Sequence, residues 1–314
     1  MKRLGLWPAL AVILAGMCLL PWVISSYYLG LATLILATAI FAMSLDLIQG
    51  YLGLASLGHG AFWGTSAYAV GLMNTRLDGA AGLVGEFAVG IFAAAIVAAV
   101  LGLIALRSKG VYFLMITLAS AMMLWGVAVK WRAVTGGDDG IVGIGRPSFG
   151  FAGMDLGDHT QFYFFVLAFT VIAGLLMYAI VKSTFGKVLE GVRESEVRMK
   201  ALGYNVWLHK YIAFVVAGVF AGLGGILATY YNGYVGPSEL HLVTSAEALI
   251  MVILGGAGTL FGPAVGALVV VLIKSIGSGY TQHWMLILGA LYIGTVVLAP
   301  DGVFNLFLRW WRGE

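Results

Sequence analysis

Four ionisable side chains, Asp46, His59, Glu86 and Glu247, lie within runs that are otherwise apolar. Charge inside a bilayer is costly, so it is usually paired, hydrated or put to use on an ion or solute. All four fall within about two helical turns of the end of an apolar run, where a side chain reaches water. A carrier driven by protons or sodium is expected to place a carboxylate deeper, which counts against a transporter working alone. His59 and Glu247 stand out because each lies beside or within a glycine-broken stretch. The two stretches read LGLASLGHGAFWG (52–64) and LGGAGTLFGPAVG (254–266), and their likeness hints at an internal duplication. Glycine-interrupted segments in corresponding places point to a transport path near the membrane midplane. The candidate pathway residues are Ser56, His59, Gly60, Thr117, Ser120, Glu247, Gly255 and Gly256.

Other chemistries lack their residues. The five histidines are far apart and none forms an HxxxH pair, so no metal site is expected. No GxxxxGK[ST] loop occurs, so any ATP must be handled by another chain. No nucleophile elbow is present, and no catalytic residue is assigned. The single cysteine, Cys18, excludes an intramolecular disulfide. The net charge of +3 is scattered among flanking segments and implies no nucleic-acid partner. The stretch TGGDDG (135–140) favours a tight turn with exposed backbone amides. Its residues Thr135, Gly136, Gly137 and Asp138 either cap a loop or form an outer gate or receptor contact, and both readings stay open.

The elements that must position these residues are membrane helices. The chain has 314 residues, 61% hydrophobic and 10% charged, with a mean hydropathy of +1.00. That composition defines an all-α polytopic membrane protein, because β-barrel strands would alternate apolar and polar residues. About ten spans are expected: 7–25, 28–48, 52–73, 83–106, 111–131, 161–182, 211–232, 244–258, 262–277 and 283–300. The first is read as a helix and not as a cleaved signal, since further spans follow and Met17 occupies a small-residue position. The eighth and ninth are short and glycine-broken, so a re-entrant pair leaving eight spans is the alternative. Lys2, Arg3, Arg107, Lys109, the 187–210 segment, Arg309 and Arg312 then share one side, which is the cytoplasm by the positive-inside rule. Both termini are expected there. The opposite loop 132–160 carries Asp138, Asp139, Asp155 and Asp158. Small residues spaced by four, such as Gly218 and Gly222, are expected to let helix backbones approach closely.

The longest charged segment, KVLEGVRESEVRMKALGYNVWLHK (187–210), joins two spans. Its Leu189, Val192, Met199 and Leu202 recur on one helical face. On the other face Glu194 precedes Arg198, and Glu196 precedes Lys200, by four residues. Thr184 is the expected N-cap, and Gly203 with Asn205 the stop. This is either a solvated loop or a platform that docks a cytosolic protein.

Several motifs then resemble a known family. YLGLASLGHGAFWGTSAYAVGLM (51–73), RSKGVYFLMITLA (107–119), TGGDDGIVGI (135–144), FGKVLEGVRESEVRMKALGYNVWLHKYIAFVVAGVFAGLGGIL (185–227) and MVILGGAGTLFGPAVGA (251–267) are similar to the LivM-like permeases. These are membrane subunits of branched-chain amino-acid ABC importers, and the likeness runs from about residue 28 to residue 300.

The resemblance implies an ABC importer permease architecture of about eight to ten transmembrane helices with a cytoplasmic coupling helix, built as a single domain over 1–314. It implies a bacterial inner-membrane protein working with a second homologous LivH-like permease, two ABC ATPase subunits and a periplasmic solute-binding protein. ATP and Mg²⁺ would be used by those ATPases and no cofactor by this chain. The segment 184–210 would dock an ATPase, with Gly186, Arg193, Glu194, Ala201 and Gly203 matching the family pattern and Lys187, Glu196 and Arg198 adding the charged face. A pathway of glycines and hydroxyls, including Thr65 and Ser66, would make only weak contacts and leave specificity to the binding protein. Branched-chain amino acids are the expected solute. Permeases of the same family for urea, amides or small organic acids are the alternative, and a stand-alone secondary transporter is a more distant one.

Overall fold

Runs of Leu, Ile, Val, Ala and Phe leave the backbone one way to satisfy its polar groups away from water, and that is the helix. A computed structural model of the protein describes residues 6–76, 82–146 and 156–280, together with Leu286, Gly289, Ala290, Tyr292, Ile293, Gly294 and Gly302. The long helices are α1 (Leu6–Val23), α2 (Ser26–Leu52), α3 (His59–Arg76), α4 (Gly82–Ala105) and α5 (Val111–Lys130). A one-turn α6 (Arg132–Thr135) precedes α7 (His159–Lys182), the short pair α8 (Thr184–Glu194) and α9 (Glu196–Ala201), and α10 (Val206–Asn232). The last two described helices are α11 (Leu242–Gly255) and α12 (Gly262–Tyr280). Six of these are long and apolar enough to cross a membrane: α2, α4, α5, α7, α10 and α12. The expected last span, 283–300, and the terminal basic residues Lys2, Arg3, Arg309 and Arg312 lie outside the described residues, save for a few positions of the span.

Two helices form the centre. Both α2 and α10 have 27 residues, and 78% and 72% of their most apolar windows are buried, against 22–33% for α4, α5, α7 and α12. The bundle is therefore built around α2 and α10, with α3 and α4 packed on α10 and α7 and α12 on α2. The expected small-residue contacts are present. A Cβ on Gly218 or Gly222 would overlap the Cβ of Ala98 or Ala94, so α10 and α4 approach at backbone distance.

The third span starts later than expected. Gly53, in the left-handed region at φ 75°, ends α2. Residues 53–58 then run without helix to His59. This break gives α3 its own N-terminus inside the protein. The charged platform is likewise two helices, broken at Ser195, and residues 206–210 belong to α10. Ser183, not Thr184, caps α8 by accepting from Gly186 N, and Ser195 caps α9. Gly203 at φ 85° ends the platform as expected, but Asn205 begins α10 as its N-cap. Two strands that the sequence did not announce, β1 (Ile141–Val142) and β2 (Tyr234–Val235), pair antiparallel and tie the 132–158 connection to the end of α10.

Candidate functional site

Three of the four intramembrane ionisable residues are not near water. Asp46, His59 and Glu86 are fully buried, each with a polar partner inside the bundle. Asp46 accepts from the backbone N–H of Gly258 at 2.7 Å and of Leu260 at 3.0 Å. Its carboxylate thus caps the tight turn between α11 and α12. Glu86 accepts from the Tyr230 hydroxyl and from Asn74 Nδ2 at 3.1 Å, joining α4 to α10 and α3. His59 Nε2 lies 2.8 Å from Ser44 Oγ. Its ring stacks on Phe41 at 5.4 Å and meets the edge of Phe62, and its Nδ1 has no hydrogen-bond partner among the described residues.

The candidate pathway residues divide into separate places. Ser56, His59, Gly60 and Thr117 come together at the break before α3. Ser56 Oγ accepts from Gly58 N at 3.2 Å, Gly60 N donates to Ser245 Oγ at 2.9 Å, and Leu57 N donates to Thr117 Oγ1 at 3.3 Å. The hydroxyls of Ser56, Thr117 and Ser245 serve the amides of the broken backbone, while Ser44 bonds the Phe41 carbonyl and His59; neither Ser44 nor Ser245 is marked by a pattern in the sequence. Ser120 stands apart, donating within its own helix to Ile116 O at 2.8 Å. Gly255 and Gly256 lie at the α11–α12 turn, where a Cβ on Gly255 would overlap the backbone of Gly262.

Glu247 alone among these lines a cavity of about 840 Å³ enclosed by α2, α11, α12 and the 3₁₀ turn Pro237–Leu240. Its carboxylate pairs with Lys274 Nζ at 2.8 and 3.0 Å. Lys274 lies within the ninth apolar run, so its intramembrane position was legible, yet sequence reasoning passed over it. Glu239 faces the same cavity and accepts from Trp63 Nε1 at 2.6 Å. Burial pushes its carboxyl above the ordinary carboxylate range, against the pull of Trp63 and Lys274. Tyr27 and Ser275, 3.0 Å apart, bridge α2 to α12 across the mouth.

The candidate gate residues lie near that mouth. Thr135 is buried, with its hydroxyl against the Ala128 and Trp131 carbonyls and accepting from Gly137 N at 3.2 Å. Gly136 and Gly137 take φ of 78° and 65°, which favours glycine. Asp138 lines the cavity and lies 3.8 Å from Arg132, both well exposed.

At the other end of α2 sits the platform. Leu189, Val192 and Met199 are buried, as the period required, and so is Val188, which the period did not include; Leu202 is 66% exposed because the chain has left the helix before it. Lys187, Arg193, Glu194, Arg198 and Ala201 are exposed and Gly186 is buried. A Cβ on Gly186 would overlap the backbone of Val181, so α8 folds back tightly on α7. Glu194 and Arg198 lie 3.5 Å apart, as the four-residue spacing suggested. Glu196 departs from expectation: it pairs with Lys210 of α10 and, at 3.3 Å, with Lys109 of the α4–α5 connection. The break at Ser195 turns it toward those lysines and away from Lys200. Arg193 donates to the Gly50 carbonyl at the end of α2, beside Gly53 and Gly258.

Residues 27–296 match the family model described as branched-chain amino acid transport system / permease component. The chain is 27% identical over 307 residues to the high-affinity branched-chain amino acid transport system permease protein LivM of Escherichia coli K12, covering 91% of this chain and 72% of that one. The LivM protein of Salmonella typhimurium is 27% identical with the same coverage. Weaker likeness extends to the probable branched-chain amino acid transport permease protein LivH of Methanocaldococcus jannaschii, at 26% identity over 63% of this chain and 65% of that one. No solved structure gives a significant match. A helical bundle with several membrane-length helices, matched over most of its length by transport permeases, is a multi-pass membrane protein of the branched-chain amino acid transport permease family.

Proposed function

We propose that this chain is one permease subunit of an ATP-driven importer for branched-chain or related small amino acids. It pairs with a second, LivH-like permease, receives solute from a periplasmic binding protein and is driven by two ABC ATPases that use ATP and Mg²⁺. The membrane is the bacterial inner membrane, with both termini and the platform in the cytoplasm. The observation that carries this reading is the platform: α8 and α9 bury Val188, Leu189, Val192 and Met199 in the bundle and hold Lys187, Glu194 and Arg198 outward. A helix packed this firmly on α2, α7 and α10 moves with them, so force from an ATPase on its charged face reaches the central helices. Arg193, which bonds inward, belongs to that transmission and not to the docking face.

Co-purification from mild detergent tests the reading. The tagged protein is expected to bring down a second permease and two ATPases, and Lys187→Glu with Arg198→Glu is expected to lose at least one ATPase. A lone chain, or an assembly indifferent to the reversal, would reject docking at the platform.

A further inference from the structure

The cavity between α2, α11 and α12 carries more chemistry than a passive pathway requires. Its volume of about 840 Å³ suits a small molecule. One part of its wall is charged, with Glu239, Glu247 and Lys274, and another is apolar, with Leu31, Met251 and Val270. The Glu247 side chain is 14% exposed and that of Lys274 49%, so the ammonium stands at the accessible side of the pair. Glu239 is held in place by Trp63 Nε1, a neutral donor. Glu247 holds the Lys274 ammonium, while Glu239 has only the neutral Trp63 donor and Asp138 adds a further carboxylate to the lining, so a cation added to this partly dehydrated space gains more than it would in water.

We propose that this cavity is a solute subsite of the permease itself, in which Glu239 takes the α-ammonium and Lys274 the α-carboxylate of an amino acid whose apolar side chain lies against Leu31, Met251 and Val270. This assignment rests on the amino-acid importer reading above and gives it a residue-level site. The pattern selects among solutes by charge. An amide or urea brings no cation for Glu239, and an organic acid meets Asp138, Glu239 and Glu247 against one lysine. A zwitterion satisfies both signs. Its carboxylate competes with Glu247 for Lys274, so capture exchanges one ion pair for another and stays weak enough for release.

The test uses the complete complex with its binding protein and ATPases in proteoliposomes, with leucine and isovaleramide as probes. Glu239→Gln is expected to lower leucine uptake about tenfold, the loss of one charge-assisted bond. The exchange Glu247→Lys with Lys274→Glu keeps an ion pair for folding but reverses the wall, and is expected to stay about tenfold down with partner chains co-purifying in unchanged proportion. Recovery of uptake in the exchanged variant would mean that the pair is structural, and would overturn the subsite. So would leucine uptake indifferent to Glu239→Gln, which leaves the importer reading standing; a wild-type complex that carries isovaleramide and not leucine would overturn the amino-acid reading together with the subsite. Failure of the wild-type chain to assemble with ATPases would overturn the importer reading and this assignment together.

Discussion

Asp46 and Glu196 are acidic residues put to opposite uses. Asp46 is surrounded by α2 and the α11–α12 turn and serves two backbone amides. Replacing it with alanine leaves the buried Leu260 amide without an acceptor, at about 1–3 kcal/mol, and the half-buried Gly258 amide at less. Asp46→Ala is therefore expected to lower the thermal midpoint in detergent sharply, and Asp46→Asn, which keeps one acceptor oxygen, by less. Glu196 sits at the surface end of the platform. Burial raises its carboxyl, but the hydrogen bonds and charges of Lys210 and Lys109 outweigh this and hold it below its ordinary 4.5. A depressed carboxylate contributes stability above its unfolded value and loses it as pH falls through the folded one. Glu196→Gln should thus be less stable than the wild type at pH 7, and the gap should shrink below about pH 4.5. A gap that stays constant with pH would deny the ion pairs their role.

At the scale of elements, the platform was legible as an amphipathic charged segment because Leu189, Val192 and Met199 keep helical period. Its internal break was not, since Ser195 is as compatible with a helix interior as with a cap. The late start of α3 was hidden for a similar reason: 53–58 is as apolar as a helix, and only the bonds of its amides to Thr117 and Ser56 mark it as a break. Membrane spans are written in composition, whereas polar contacts between distant segments, such as Glu239 with Trp63 or Asp46 with Gly258, leave no local pattern. Arg193 joins two of these elements by bonding to Gly50 beside the α11–α12 turn. Arg193→Gln is expected to retain ATPase co-purification yet lower solute carried per ATP hydrolysed, measured in proteoliposomes. Loss of transport and assembly together would make Arg193 a folding residue only.

At the scale of the molecule, the platform and the cavity lie at opposite ends of α2. With Cys18→Ala as background, Asp138→Cys should react with an impermeant maleimide on intact spheroplasts, and Lys187→Cys only after permeabilisation. The reverse pattern would invert the molecule. The exposed faces of α4 and α5, with Phe92, Ile96, Val100, Met115 and Met123, are left for lipid or a second permease.

One short helix bears on how the chain is made. α11 has 14 residues, about 21 Å at 1.5 Å per residue, against a hydrocarbon thickness of about 30 Å. A helix of that length cannot hold a transmembrane position alone, because its terminal carbonyls would face lipid. Its place depends on Asp46, Gly60 and the return of α12. During synthesis, α11 must wait at the membrane surface and enter as a hairpin once α12 has emerged, into a slot that α2 and α3 have already built. A chain released after residue 261 should leave a cysteine at Ala248, fully buried in the folded protein, open to aqueous reagents, and a chain that runs through residue 280 should bury it.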